Sequence, residues 1–179
     1  LLCTLIIEAN DLPFGHNALP LRSGLGLARY LEEAWGLEPR IKWPNDLLVR
    51  GGKIAGILCR GRGGWVSIGI GLNLSSRQLP DSPRRRATSL EHEAGVTAAA
   101  DVLEGLLPFL KAALNEPQWQ SMTEERLFKR GETVRVFPGE AGSGENYTAR
   151  LHGIESSGAL LLETESGGIS SLLSGEVSF

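Results

Sequence analysis

The sequence predicts an α+β protein in which a mixed β-sheet backed by helices is followed by a small β-barrel. Strand-length apolar segments recur before about residue 75, and two longer segments carry apolar residues at helical spacing. From Glu132 the chain becomes a series of short strand-like segments separated by turns, a pattern typical of a small barrel. We therefore expect a larger domain over residues 1–128 and a smaller one over residues 129–179.

The composition argues against several classes of function. A net charge of −3 argues against a general nucleic-acid binder, which needs clustered basic residues. No apolar run reaches the roughly 18 residues of a membrane span, and no signal-peptide pattern is present. Cys3 and Cys59 lie in apolar segments and are expected to be buried thiols of a reducing, cytoplasmic protein. His16, His92 and His152 lack the spacing of metal ligands.

The first half of the chain is expected to build the sheet. Residues 2–7 form a continuous apolar run, which predicts a strand buried on both faces. A helix is predicted from Leu21 to Trp35 and ends at Gly36. Short strands flank Pro44, and residues 53–59 and 65–72 form an antiparallel pair across a glycine-rich turn.

The second half is expected to supply helices and the barrel. Residues 75–87 are polar and predict an exposed loop. A helix is predicted to begin after Thr97, its N-cap, and to kink at Pro108. Its apolar face is made of Leu103, Leu107, Leu110 and Leu114. A short helix is predicted over residues 118–128. The predicted barrel strands are residues 133–136, 147–154, 159–163, 168–172 and 176–179, with turns at 139–145, 156–158 and 166–167.

Lys53 is the strongest candidate for catalysis. It follows a Gly-Gly turn and opens an apolar strand, so its ammonium group is expected to project beside a cavity. A fixed cation beside a cavity can touch two anionic groups at once and stabilise the negative charge that builds as they react. The alternative is a solvated lysine at the end of a strand.

Asn45 and Asp46 follow Pro44 at a break between strands. Backbone groups and short polar side chains at such a break can hold a nucleotide, a metal-bound phosphate or an incoming amine. Asp46 can also act as a base or orienting group for an attacking lysine. The alternative is a turn stabilised by its own side chains.

Three glycines and an asparagine complete the predicted site. Gly56, Gly69 and Gly71 lie inside strands, where glycine often marks close approach by a ligand. The Gly69 segment is not a dinucleotide-binding motif, because the third glycine and the following helix are absent. Asn73 is expected to contact a phosphate or ribose, or to cap the strand.

Two other basic segments are weaker candidates. Residues 61–63, with the sequence Gly-Arg-Gly, resemble a phosphate loop but are predicted to form the tip of a hairpin. Residues 84–86 are three consecutive arginines in a polar segment, where a short basic run is usually solvated.

These motifs together resemble the biotin–protein ligases. The resemblance rests on Lys-Trp-Pro-Asn-Asp at residues 42–46, the seven-residue step from Asp46 to Lys53, and Gly-Ile-Gly-Leu-Asn at residues 69–73. Ala-Thr-Ser-Leu at residues 87–90 fits as well, and residues 158–163 and 175–178 look like the family's SH3-like domain. The implied fold is a core similar to class II aminoacyl-tRNA synthetases with a C-terminal SH3-like barrel.

The resemblance also implies an activity. Family members use ATP with Mg²⁺ to convert biotin to biotinyl-5′-AMP, then transfer biotin to a lysine of the biotin carboxyl carrier protein. Residues matching Lys53, Asn45, Asp46 and Asn73 lie at the nucleotide and adenylate, and those matching Gly56 and Gly69 line the biotin pocket. The loop matching residues 75–87 orders over the adenylate. A homodimer is compatible with the resemblance, and DNA binding is not expected without a helix-turn-helix domain.

The chain departs from the family at its beginning. The family's Ser/Thr-containing strand and Gly-Arg-Gly-Arg biotin loop have no counterpart in this sequence, which starts at Leu1 on a predicted strand. We therefore expect a fragment. Two alternatives are a non-catalytic relative that binds only a nucleotide or partner, and a lipoate–protein ligase relative. The Trp43-Pro44 pair and the predicted barrel argue against the lipoate alternative.

Overall fold

The computed structural model describes residues 1–12, 15–79, 86–96, 98–139, 146–164 and 167–178. The first sheet has the strand order β1-β5-β4-β3-β2. Its strands are β1 (Leu2–Glu8), β2 (Pro39–Lys42), β3 (Asp46–Val49), β4 (Gly52–Arg62) and β5 (Trp65–Leu72). The α+β class is confirmed, but neighbouring strands are all antiparallel rather than mixed. The short turns from β2 to β5 join only antiparallel neighbours.

Strand β1 corrects one expectation. The strand is present, but it is not buried on both faces, since Leu2 and Ile6 are 90% and 69% exposed. The intervening residues Cys3, Leu5 and Ile7 pack on the core. The reason is that β1 lies at the edge of a sheet that helices cover on one face only, so burial follows the two-residue alternation of a strand.

Four helices accompany the two sheets in the described part of the chain: α1 (Leu19–Trp35), α2 (Leu90–Ala94), α3 (Ala99–Leu114) and α4 (Trp119–Glu125). Helix α1 lies between the sheet and α3. A Cβ on Gly24 would meet the side chains of Ile57 and Ile41, whereas a Cβ on Gly26 would lie 2.9 Å from the carbonyl oxygen of Phe109. Small residues on both sides thus allow close packing. The helix ends at Gly36, which has a φ of 63°, as predicted.

Helix α3 is rotated relative to the predicted face. Its buried residues are Val102, Leu106, Leu110, Ala113 and Leu114, whereas Leu107 is 42% exposed. The five leucines of α3 lie on about one third of its circumference, but the buried face is shifted to one side of them and includes Val102 and Ala113, so leucine spacing alone did not locate it. Pro108 lies inside the helix, and the predicted cap Thr97 lies outside the described residues.

The second sheet is also antiparallel, with the order β10-β6-β7-β8-β9. Its strands are β6 (Thr133–Pro138), β7 (Tyr147–Ile154), β8 (Leu160–Glu163), β9 (Ile169–Leu172) and β10 (Gly175–Ser178). All five were expected, with small differences at their ends. The predicted turn at 139–145 lies outside the described residues except for Gly139, as do residues 165, 166 and 179 of the other predicted segments.

The second sheet packs against the first part of the chain through specific hydrogen bonds. The indole N–H of Trp43 donates to the carbonyl oxygen of Gly158 at 3.0 Å. The Ile154 N–H donates to Glu124 at 3.0 Å, and the Gln120 side chain donates to the Ile154 carbonyl at 2.7 Å. The turn before β3 therefore rests directly on the second sheet.

Candidate functional site

A β-bulge brings Lys53 onto the open face of the first sheet. Asp46 pairs with Gly56 and Leu47 with Ala55, but Leu48 pairs with Lys53, so Ile54 is an extra residue in β4. Strict alternation would put Lys53 and Gly56, three residues apart, on opposite faces. The bulge shifts the alternation by one residue, and both lie on the face away from the helices.

Lys53 forms an ion pair with Asp46 on this face. The Lys53 Nζ atom lies 2.5 Å from Asp46 Oδ1, and the two side chains are 47% and 21% exposed. Such a pair at the surface contributes little to stability. Both groups remain accessible from solvent, so an incoming anion can reach the ammonium group.

Gly56 lies directly beneath this ion pair. A Cβ added at Gly56 would lie 3.2 Å from Lys53 Nζ, 3.3 Å from Lys53 Cε and 3.6 Å from Asp46 Oδ1. The absence of a side chain at Gly56 therefore allows the lysine to lie across the strand and reach Asp46.

Gly69 and Gly71 form a floor beside the ion pair. Gly71 pairs with Leu2 on one side and Gly56 on the other, and Gly69 is its neighbour along β5. An added Cβ would meet nothing closer than 3.5 Å at Gly69 and 3.4 Å at Gly71, which are ordinary contacts. Neither glycine is required by the packing of the described chain. Their effect is to leave space above the sheet.

Asn45 and Asn73 hold the backbone around the site. The Asn45 amide donates to the Ile57 carbonyl at 2.9 Å, and the Ile57 N–H donates back to the Asn45 carbonyl at 2.9 Å. The Asn73 amide donates to the carbonyls of Lys53 and Thr88, both at 3.1 Å. Both amides thus fix the strand that carries Lys53, a role that agrees with the capping alternative for Asn73.

Two adjoining cavities cover this face. One, of about 520 Å³, is lined by Asn45, Gly69 and the exposed apolar side chain of Leu58. The other, of about 580 Å³, is lined by Lys53, Asn73, Ser75 and Arg77. Leu2, Gly56 and Gly71 line both cavities. The surface therefore offers an apolar, glycine-floored half beside a polar half that contains Lys53, and the structure brings all the predicted site residues together.

Several neighbours of the site were not predicted. Arg77, Leu2 and Thr4 line the cavities, and Thr88 pairs with the backbone of Lys53. The Ala-Thr-Ser-Leu motif was the sequence signal for Thr88. Position in the sheet, rather than any motif, selects Leu2 and Thr4.

Of the two weaker basic candidates, residues 61–63 lie away from the site. Residues 61–63 lie at the end of β4 and the start of its hairpin turn, with φ of 58° at Gly63 and 82° at Gly64, as the hairpin interpretation predicted. Residues 84 and 85 lie outside the described part of the chain. Arg86 is exposed, and its carbonyl accepts the Lys53 N–H at 2.9 Å.

Both cysteines are free thiols with a raised pKa, but they are partly buried rather than fully buried as expected. Burial raises the pKa of Cys59 to about 12 and also raises that of Cys3. Within the described residues no three His, Cys, Asp or Glu side chains are grouped to hold a metal ion. No helix of the described chain has the length and apolar character needed to cross a membrane.

Two protein-family models match parts of this chain. Residues 11–74 match the model of the biotin/lipoate A/B protein ligase family, and residues 140–179 match the biotin protein ligase C-terminal domain. The bifunctional ligase/repressor BirA of Bacillus subtilis is 30% identical over 159 residues, which cover 83% of this chain and 49% of that protein. The biotin–acetyl-CoA-carboxylase ligase of Paracoccus denitrificans is 32% identical over 169 residues, covering 84% and 65%.

Solved structures show the same fold. Biotin protein ligase from Aquifex aeolicus, determined in complex with biotin and ATP, superposes with a TM-score of 0.83 and 28% identity, covering 99% of this chain and 77% of that one. This chain spans about half the length of the first curated relatives that it matches. The second sheet is the SH3-like C-terminal domain of these proteins. Two family models along one chain and agreement over the whole fold lead to one assignment: the chain belongs to the biotin protein ligase family.

Proposed function

We propose that this chain carries the catalytic core of a biotin protein ligase, which activates biotin with ATP and transfers it to a lysine of a carrier protein. The observation that carries the proposal is the exposed Lys53–Asp46 pair at the edge of a glycine floor. The apolar half of the open face suits the rings and aliphatic chain of biotin, and the Lys53 half suits its carboxylate and the phosphates.

In the first step, a carboxylate oxygen of biotin attacks the α-phosphorus of ATP, and pyrophosphate leaves as the new P–O bond forms. Two anionic groups approach each other, and negative charge builds on the phosphoryl oxygens. The Lys53 ammonium, held over Gly56, contacts both groups and stabilises that charge. Asn45 and Asn73 keep β4 and its neighbours in register so that the ammonium stays in place.

In the second step, the ε-amine of the acceptor lysine attacks the acyl carbon, and AMP leaves. The incoming group must lose a proton to become a nucleophile. Asp46 orients this amine and accepts its proton once Lys53 has turned toward the phosphate. The catalytic roles of Lys53 and Asp46, and the binding roles of Asn45, Gly56, Gly69, Gly71 and Asn73, are part of this proposal.

Mg²⁺ enters this scheme as part of the ATP substrate. The Asp46 carboxylate is paired with Lys53, and among the described residues no three His, Cys, Asp or Glu side chains are grouped to hold a metal ion. Magnesium in nucleotide sites is commonly held by substrate phosphates and waters with few protein ligands. The residues present therefore fit a phosphate-borne ion rather than a preformed metal site.

Five further elements belong to the proposal: the acceptor, the domain boundary, the assembly, the absence of a DNA requirement and the location. The acceptor is a biotin carboxyl carrier protein, and the chain divides at residues 128 and 129 into a catalytic and an SH3-like domain. A homodimer is the assembly that we would look for. No DNA is required for the proposed reaction, and a cytoplasmic location would place the enzyme with its carrier.

The experiment is to measure pyrophosphate release by the purified chain with Mg-ATP and biotin, with lipoate and no acid as controls. Release with biotin alone is expected. Release with lipoate alone would support a lipoate ligase, and no release with either acid by folded protein would favour a non-catalytic relative. Addition of the upstream coding sequence would then separate an inactive relative from a shortened enzyme.

A further inference from the structure

Helix α2 contacts both Ser75–Ser76 and Thr88, which lie before and after the residues outside the described part of the chain. Its first residue follows Ser89, whose hydroxyl accepts the His92 N–H at 3.3 Å and so caps the helix. Two of its acidic side chains, Glu91 and Glu93, make contacts outside the helix rather than extending into solvent.

Glu93 is a buried carboxylate with a specific partner. Its side chain is 3% exposed, and Oε1 accepts the hydroxyl of Thr88 at 2.5 Å. Its other oxygen, Oε2, lies 3.6 Å from Arg50 Nη1 and has no hydrogen bond among the described residues. Burial of a carboxylate is costly unless it is paired, so a residue of this kind needs a structural reason.

The burial of Glu93 is explained by its partner Thr88, whose backbone is hydrogen-bonded to Lys53. The Thr88 N–H donates to the Lys53 carbonyl at 3.0 Å, and the Lys53 N–H donates to the Arg86 carbonyl at 2.9 Å. The Asn73 amide also bonds to the carbonyls of both Lys53 and Thr88. Thr88 thus holds the start of β4 on the side opposite to Asp46, immediately after the turn at Gly51.

Close packing at Gly52 reinforces this arrangement. A Cβ on Gly52 would lie 3.1 Å from the Cβ of Thr88 and 3.4 Å from its backbone nitrogen. The glycine before Lys53 therefore allows Thr88 to sit against the strand, and the hydroxyl bond to Glu93 fixes the rotation of the Thr88 side chain.

Glu91 makes the matching contacts on the other side. Its Oε2 accepts the Ser75 hydroxyl at 2.8 Å and the Ser76 N–H at 3.1 Å. These hydrogen bonds lower the pKa of the Glu91 carboxyl, which agrees with a role as an ionised acceptor. Ser75 lines the same cavity as Lys53 and Asn73.

We propose that Glu93, acting through Thr88, is a positioning residue for Lys53, and that Glu91 holds the adjoining Ser75–Ser76 edge of the same cavity. The effect of these residues on turnover rests on the proposed function, whereas their effect on the Lys53 backbone does not. Neither carboxylate touches the reacting atoms. Their role is to fix the backbone position from which the Lys53 side chain reaches the phosphate.

The decisive comparison uses Thr88→Val, Thr88→Ser and Thr123→Val. At residue 88, valine removes the hydroxyl but keeps the side-chain shape, whereas serine retains the hydroxyl. Thr123→Val is the control, because Thr123 is a buried threonine on α4 whose hydroxyl has no hydrogen-bond partner in the described part of the chain. Amide hydrogen exchange of Lys53 and Thr88 is measured by NMR, together with kcat and the KM for biotin.

We expect Thr88→Val to speed hydrogen exchange of the Lys53 and Thr88 amides. It should also lower kcat about tenfold with little change in the KM for biotin, because displacement of a catalytic group slows the reaction and leaves substrate binding intact. Thr88→Ser should restore both values, and Thr123→Val should leave both unchanged. Unchanged exchange in Thr88→Val, or faster exchange with normal kcat, would overturn the role of Glu93.

A second variant guards against misfolding of Thr88→Val. Glu91→Ala removes an acceptor at the surface and should speed exchange of the Ser76 amide, with Glu104→Ala, an exposed glutamate on α3, as the matched control. Equal Ser76 exchange in the two variants would contradict the role of Glu91. If the wild-type chain releases no pyrophosphate, the proposed function fails for this chain, and the exchange rates still decide whether α2 positions these segments.

Discussion

A single extra residue in β4 determines where the Lys53 side chain lies. Without Ile54 as the bulged residue, the two-residue alternation would direct Lys53 into the helix-covered face. The bulge instead places its ammonium group over Gly56 and beside Asp46. The chemistry of the candidate site is therefore set by local backbone geometry as much as by residue type.

Replacement of Lys53 by alanine is expected to abolish adenylate formation while the fold is kept. The side chain is about half exposed and lies on an open face, so its loss leaves no cavity in the core. Loss of one preorganised charge commonly lowers turnover about 10²- to 10³-fold. Biotin-dependent pyrophosphate release and thermal unfolding provide the measurement, with Lys111→Ala on the exposed side of α3 as the control. Normal turnover in Lys53→Ala would refute its catalytic role.

The glycine floor gives a second prediction at this scale. Gly69→Ala is expected to change the free energy of unfolding by less than about 1 kcal/mol, because the added methyl group meets only ordinary contacts. The same methyl group occupies the space above the sheet, so biotin affinity should fall at least about tenfold. Calorimetric titration with biotin measures the affinity, and chemical denaturation measures the free energy of unfolding. Unchanged affinity in the stable variant would mean that the ligand does not approach Gly69.

At the scale of elements, α1 organises the core because it contacts the sheet on one side and α3 on the other. Its buried Arg22 extends this role, since the guanidinium donates to the carbonyls of Leu114 and Glu116 at 3.0 and 3.1 Å. A cation at this end of α3 satisfies carbonyls that the helix leaves unpaired and complements the helix dipole.

The contact between the turn that joins β2 to β3 and the second domain is the other element-level feature. Trp43 is 2% exposed, and its indole N–H bonds to the carbonyl of Gly158, a residue with a φ of 90°. An added Cβ at Gly158 would lie 2.9 Å from Ala18 Cα. The turn that carries Asn45 and Asp46 is thus supported by the SH3-like domain.

Trp43→Phe is expected to lower the free energy of unfolding by about 1–3 kcal/mol, because a buried carbonyl loses its donor and a smaller ring leaves space. Urea denaturation provides the measurement. Trp65→Phe is the control, since Trp65 is 49% exposed and its change should have little effect. Equal loss in the two variants would contradict a specific role for the Gly158 bond.

At the scale of the whole molecule, alkaline pH is expected to destabilise the fold. Burial raises the pKa of Cys59 from 9.0 to about 12 and also raises the pKa of Cys3 and Tyr30. The unfolded chain then loses protons at a lower pH than the folded chain. Stability is therefore unaffected by these groups below about pH 8 and falls as pH rises from about 9 toward 12.

The thermal midpoint measured between pH 7 and pH 11 provides the check. Cys59→Ala should make the decrease above pH 9 shallower than in the wild-type chain, since it removes the group with the raised pKa of about 12. A Cys3→Ala variant serves as the comparison. An identical slope in wild type and Cys59→Ala would show that other groups cause the alkaline loss.

The sequence by itself determined the family, the order of most helices and strands, and the residues that gather at the candidate site. The Lys-Trp-Pro-Asn-Asp segment and the glycine-rich strands carried the resemblance to the family, and the apolar periodicity predicted most of the helices and strands, because both signals are local. Tertiary structure alone decided the exposed face of β1, the buried side of α3, the bulge at Ile54 and the hydrogen bond from Thr88 to Glu93. Each of these depends on which surface a segment packs against, and a periodic sequence does not specify its partner.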